Sequence, residues 1–213
     1  MKFYLLVIRL TQEILIKTGI LTLCVLPLLI VFTPDFIYPY MSGIYSIAHT
    51  TAFFVMLIRP LSDIFGKLPK IISSPSYIRP LVILRKGFGI ISASIVVSFI
   101  FSKIIIDPSG YFLGILDPAY WSLTKYALIA HIADITAILL LITSNNFSKR
   151  IMGTWWKRIQ RLSYVYFFAS AFYVFVSFDE MYLFYYMLII ASITLVASVL
   201  NSLTQKNSNP QIV

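Results

Sequence analysis

The stretch WWKRIQRLSYVYFFASAFY, Trp155 to Tyr173, begins with two tryptophans and three cations and then runs from Leu162 onward without a single charge. Tryptophans and basic residues gather where a membrane meets water, and an aromatic, uncharged run of this length belongs below that boundary. The whole chain repeats the pattern. At 59% hydrophobic and 12% charged residues, it lacks the polar surface that a soluble domain of 213 residues needs.

A hydrocarbon core of about 30 Å takes about 20 mostly apolar helical residues. Six segments approach that length: Thr18 to Thr33, Met41 to Ile58, Gly87 to Ser102, Tyr126 to Thr143, Leu162 to Phe178 and Met181 to Ser202. The expected fold is therefore all-α and integral to the membrane: a six-helix transmembrane bundle over residues 18–202. Residues 1–17 form an amphipathic lead-in, in which Arg9, Glu13 and Lys17 share one helix face, and the polar tail 203–213 is expected to be disordered. A cleaved signal peptide is not expected, because charges are spread through the lead-in and no small-residue cleavage pattern follows Leu28.

Basic residues set the orientation. With the N-terminus inside, all of the 17 Lys and Arg except Lys103 and Lys125 fall in cytoplasmic segments, while Asp35, Asp107, Asp117, Asp179 and Glu180 fall outside. Both termini are then cytoplasmic, in a multi-pass protein of the cell membrane. Topology accounts for most of the +9 charge, so nucleic acid is not needed as a partner. Cys24 lies inside the first span, where it offers neither a disulfide nor a thiolate metal site.

The loops divide by composition. RPLSDIFGKLPKIISSPSYIRP, after the second span, is broken by proline and glycine and reads as a connector anchored on anionic lipid, or as a docking surface for a cytoplasmic electron-donor protein. IIIDPSGYFLGILDPAYWSLTKY is hydrophobic but interrupted, and should lie along the outer interface with Tyr120 and Trp121 as anchors.

Leu139 to Tyr164, LLLITSNNFSKRIMGTWWKRIQRLSY, resembles the ferric-reductase-like transmembrane domain family, and within it the haem-binding membrane subunit of the methionine sulfoxide reductase system. Thr143, Ser144, Asn145, Gly153, Trp156, Arg161, Leu162 and Tyr164 carry the likeness. RKGFG at 85–89 is similar to the family's opening of the third span, and SGIYSIAHTTAFFVMLIRPL at 42–61 to its second. The resemblance implies six helices and electron transfer through b-type haem, whose iron is held by histidines on the third and fifth spans. Neutral imidazole suits that task because it ligates iron without adding charge to a dry medium. With no flavin or nicotinamide domain after the last span, electrons would come from quinol, a quinone partner or a separate redox protein.

At the family's ligand positions this chain carries Gln160 and Tyr173 on the fifth span and Phe99, or its neighbour Ser98, on the third. None of these replaces imidazole. Either the haem site has moved or haem has been lost, leaving a scaffold, partner-binding or assembly subunit.

The chain has two histidines, His49 and His131, at depths of roughly 12 and 8 Å from the outer face. Asp134 is one turn from His131, and an ionised side chain inside a span costs about 2.5–3.5 kcal/mol at mid-helix unless it is paired. His49, His131 and Asp134 therefore read as a polar contact between helices, as relocated haem ligands, or as a proton or metal relay. The aromatic runs YVYFFASAFYVF and MYLFYY read as packing, with a haem pocket or aromatic hopping path as the other use. Small residues at Ser92, Ala93, Ser94, Ala169, Ser170 and Ala171 predict close helix approach.

Overall fold

The structure, a computed structural model, describes residues 2–67, 79–123 and 126–208. Among these residues every regular element is helical. Ten α-helices occur: α1 (Lys2–Phe32), α2 (Pro34–Ile37), α3 (Met41–Phe65), α4 (Leu84–Ile106), α5 (Pro108–Leu116), α6 (Ala127–Thr143), α7 (Asn146–Met152), α8 (Thr154–Gln160), α9 (Leu162–Phe178) and α10 (Met181–Ser208). Five helical runs are long and apolar enough to cross a bilayer. A sixth is reached if α6 is joined to α7, from which it is bent by 94°. The chain is an all-α, multi-pass membrane protein.

Three boundaries differ from the sequence expectation. The lead-in is no separate element, because α1 runs unbroken from Lys2 to Phe32, with Pro27 buried inside it. The last helix continues to Ser208, so the tail begins as helix; residues 209–213 lie outside the described residues, as do 68–78 of the first basic loop. Helix α3 passes through Pro60 to Phe65. Proline removes the N–H that would bond the carbonyl four residues earlier, and beside that break Arg85 Nε donates to the Val55 carbonyl at 2.9 Å.

Helix α4 is the centre of the bundle. Of its most apolar window 61% is buried, against 17–28% for the other spans. It packs along α1, α3 and α6, while α9 joins α6 to α3 and α10. Its inward residues are small and hydroxylated: Ser92, Ser94, Ser98 and Ser102 are all buried. In lipid, apolar burial drives little association, so contact depends on how closely backbones can approach. Ser98 and Ser102 return their hydroxyls to their own helix, at the carbonyls of Ser94 (2.7 Å) and Phe99 (2.9 Å), so these two enter the core with their hydrogens placed, whereas Ser94 Oγ has no hydrogen-bond partner among the described residues. Large apolar side chains such as Leu21, Ile142 and Leu195 face outward instead, as lipid requires.

The α1–α4 seam is the most extensive in the bundle and depends on reciprocal glycines. A β-carbon at Gly87 would sit 2.7 Å from Leu15 Cβ, and one at Gly19 would sit 2.7 Å from Ile90 Cγ2. Gly43, by contrast, has open space around it. Gly87→Ala is therefore expected to lower stability by about 1–3 kcal/mol, the range for overpacking, while Gly43→Ala leaves it unchanged or raises it slightly. Denaturation midpoints in detergent check this. Equal midpoints for the two variants would contradict the seam.

Candidate functional site

The motif that carries the family resemblance forms one connected turn. Thr143, the last residue of α6, accepts at its carbonyl from Trp156 Nε1 (2.8 Å). Its Oγ1 donates to the Leu139 carbonyl (2.7 Å), and so receives Gln160 Nε2 (3.2 Å) as an acceptor. Asn145 caps α7, accepting from the Ser148 amide at 2.7 Å, and its own amide donates to the Ile142 carbonyl. Gly153 then turns the chain at φ +52°, ψ −117°, a conformation open to glycine alone. Threonine, asparagine, glycine and tryptophan are thus required by the turn itself.

The three positions at which the resemblance puts ligands are occupied by packing. Phe99 is buried with Leu26, Ile30, Ala48 and Ile95 and stacks on Tyr45, with ring centroids 4.3 Å apart and planes at 13°. Tyr173 meets Phe178 edge to face at 6.4 Å. Gln160 is held by Thr143.

His49 is buried in α3, and its Nδ1 donates to the Tyr45 carbonyl at 2.8 Å, which leaves Nε2 as the acceptor, with no hydrogen-bond partner among the described residues. His131, on α6, stacks on Tyr120 at 3.8 Å and touches Trp121 at 5.5 Å. Tyr120 and Trp121 were expected only as interface anchors, yet they form a lid over this histidine. No hydrogen bond or ion pair among the described residues joins either histidine to Asp134, which is half-buried. The proposed polar tie between helices is therefore not formed through Asp134. Helices α4 and α9 each pack on both α3 and α6, and no hydrogen bond or ring contact among the described residues joins His49 to His131. No group of three or more His, Cys, Asp or Glu side chains among the described residues could hold a metal ion.

At this end of the bundle Asp107 caps α5 by accepting from the Gly110 amide (2.9 Å), Asp117 caps the following 3₁₀ turn by accepting from Ala119 (2.9 Å), and Trp121 Nε1 donates to the Ile115 carbonyl (2.6 Å). Each Asp precedes a proline at the first helical position, where no N–H is needed. Burial, then the negative fields of Asp134 and Tyr173, pushes the Tyr120 hydroxyl above its ordinary value of 10.0.

The opposite, basic end holds what sequence reading missed. A cavity of about 560 Å³ lies among α3, α4, α6, α8 and α9, reaching from Arg59, Arg85 and Arg161 at its rim to Ser92 and Tyr166 at its floor. Gln160 and Trp156 line it, and neither histidine does. Ser92 Oγ donates to the Ala48 carbonyl (2.8 Å), so Tyr166 OH must donate to Ser92 Oγ (2.8 Å). The only hints in the sequence were the density of cations around Trp156 and the basic pair before Gly87.

No family model, curated protein or solved structure matches this chain.

A hydroxyl with a raised folded-state pKa stays neutral longer in the folded chain, so its stabilising contribution is complete below the ordinary tyrosine range and falls as pH rises through and beyond 10.0. Alkaline titration followed by tyrosinate absorbance should show Tyr120 ionising late, with the lid over His131 loosening in the same window. Early ionisation of Tyr120, lost in Tyr120→Phe, would contradict its burial against α6.

Proposed function

We propose that the chain is a haem-free, divergent relative of the ferric-reductase-like membrane proteins, serving as a membrane-embedded binding or assembly subunit instead of an electron conductor. In this reading six spans cross the cell membrane, both termini are cytoplasmic, and the basic end of the bundle faces the cytoplasm, as the distribution of Lys and Arg favours.

One observation carries the reading. Every position where the resemblance puts an axial histidine is already used in packing or hydrogen bonding, Phe99 against Tyr45 above all, and no imidazole lines the cavity at the basic end. The residues present do not fit haem at the family's sites. They fit it no better at the histidines that remain, since His49 is tied to the Tyr45 carbonyl and His131 lies under the Tyr120 ring. Electron transfer to a quinone or a redox partner would need a cofactor site that these side chains do not supply. An inward-facing cavity rimmed by cations supports binding of an anionic ligand instead.

Protein purified from haem-replete cells is expected to show no stoichiometric Soret band. A reducible b-type spectrum at one haem per chain, lost in both His49→Ala and His131→Ala, would overturn the proposal. A reporter fused after Val213 should report the cytoplasm and one inserted at Gly110 the outside; the reverse result at both sites would invert the orientation.

A further inference from the structure

Among the described residues, six cations and no carboxylate line the cavity at the basic end: Arg59, Arg85, Lys86, Lys149, Lys157 and Arg161. They come from four separate segments, and the acid nearest to them along α3, Asp63, is exposed and outside the lining. Further in, the wall turns apolar at Ala52, Val55, Met56 and Leu140. Ser92 is seven residues along α4 from Arg85, so the cavity runs about 10 Å from rim to floor.

The floor decides where charge can sit. The Tyr166 proton goes to Ser92 and the Ser92 proton to Ala48, so the chain of hydroxyls ends with its donors used and offers the cavity only lone pairs. An anionic oxygen would be repelled there. Its negative group must stay at the rim, among the guanidinium and ammonium groups, while something uncharged fills the apolar part. A free inorganic anion would leave that part empty, and a wholly apolar ligand would have no use for six cations.

We propose that the cavity binds the phosphate head group and adjoining apolar portion of an anionic amphiphile drawn from the neighbouring leaflet. Trp155 and the cations Arg150 and Arg158, exposed at the same end, bring the rim to the height at which lipid phosphates lie. This deepens the reading of the basic end as an anion-binding site and does not depend on the absence of haem, so an optical spectrum and a lipid-binding measurement can fail independently.

Gly89 provides a clean test because it lines the cavity and a β-carbon there meets only Val55 Cγ2, at an ordinary 3.7 Å. Gly89→Leu would plug the cavity while keeping every cation. Lys86→Gln with Arg161→Gln removes two rim charges, and Arg150→Gln with Arg158→Gln removes two charges from the same end outside the lining. Each full-length protein, in detergent, is titrated with phosphatidylglycerol, with phosphatidylcholine and with inorganic phosphate, and read by native mass spectrometry and thermal unfolding. The expected result is one phosphatidylglycerol per chain on the parent protein, bound in preference to phosphatidylcholine. Retention should fall by about tenfold or more in both the plugged and the rim variants and stay near parental in the Arg150/Arg158 variant. Equal losses in the two charge-matched variants would reduce the effect to general surface attraction and overturn the proposal, as would normal binding to Gly89→Leu. Displacement of the lipid by an equal concentration of inorganic phosphate would assign the site to a soluble phosphate and overturn the amphiphile.

Discussion

The close approach of α4 to its neighbours is the constraint on which the rest of the bundle depends. In a bilayer the lipid tails are as apolar as leucine, so a central helix gains little by presenting leucines inward. What it can offer is proximity. Gly87 against Leu15, Gly19 against Ile90, and the buried serines of α4 let three helices lie against one, and this brings α3, α4 and α9 at the basic end near enough to enclose a cavity without collapsing it.

The connection from α6 to α9 follows from a second constraint, that exposed backbone groups near a membrane need partners. Thr143 ends α6 with its carbonyl held by Trp156 and its hydroxyl by Gln160, and Asn145 supplies both a cap and a donor. Gln160 is thus part of the turn as well as of the cavity wall. A glutamine in this position ties α8 to α6 through an amide, an interaction that needs a donor and no metal.

The cations at the basic end serve two purposes through one property. Their excess on one side is the pattern that favours one orientation in a bilayer, and among the described residues they converge around a cavity that no carboxylate lines, an arrangement that suits an anion. At the other end a tyrosine, a tryptophan and two aspartate caps close the bundle over His131.

The amino-acid sequence alone determined the class of protein and the location of its apolar helices, though not their ends, because a run of some 20 uncharged apolar residues has few stable alternatives in lipid and the loops are punctuated by Asp-Pro and glycine. It also marked the small residues of α4 as contact positions, since small side chains inside a span have little other use. Only the tertiary structure decided which helices are neighbours. His49, His131 and Asp134 looked like one cluster because their depths along separate helices are similar, but depth fixes one coordinate and the order of helices around the bundle fixes the other two. In the folded bundle His49 bonds the Tyr45 carbonyl and His131 stacks on Tyr120, and neither meets the other. The cavity was hidden for the same reason. Arg59, Arg85, Lys149 and Arg161 are far apart along the chain, and their meeting around one cavity depends on helix packing that no local periodicity encodes.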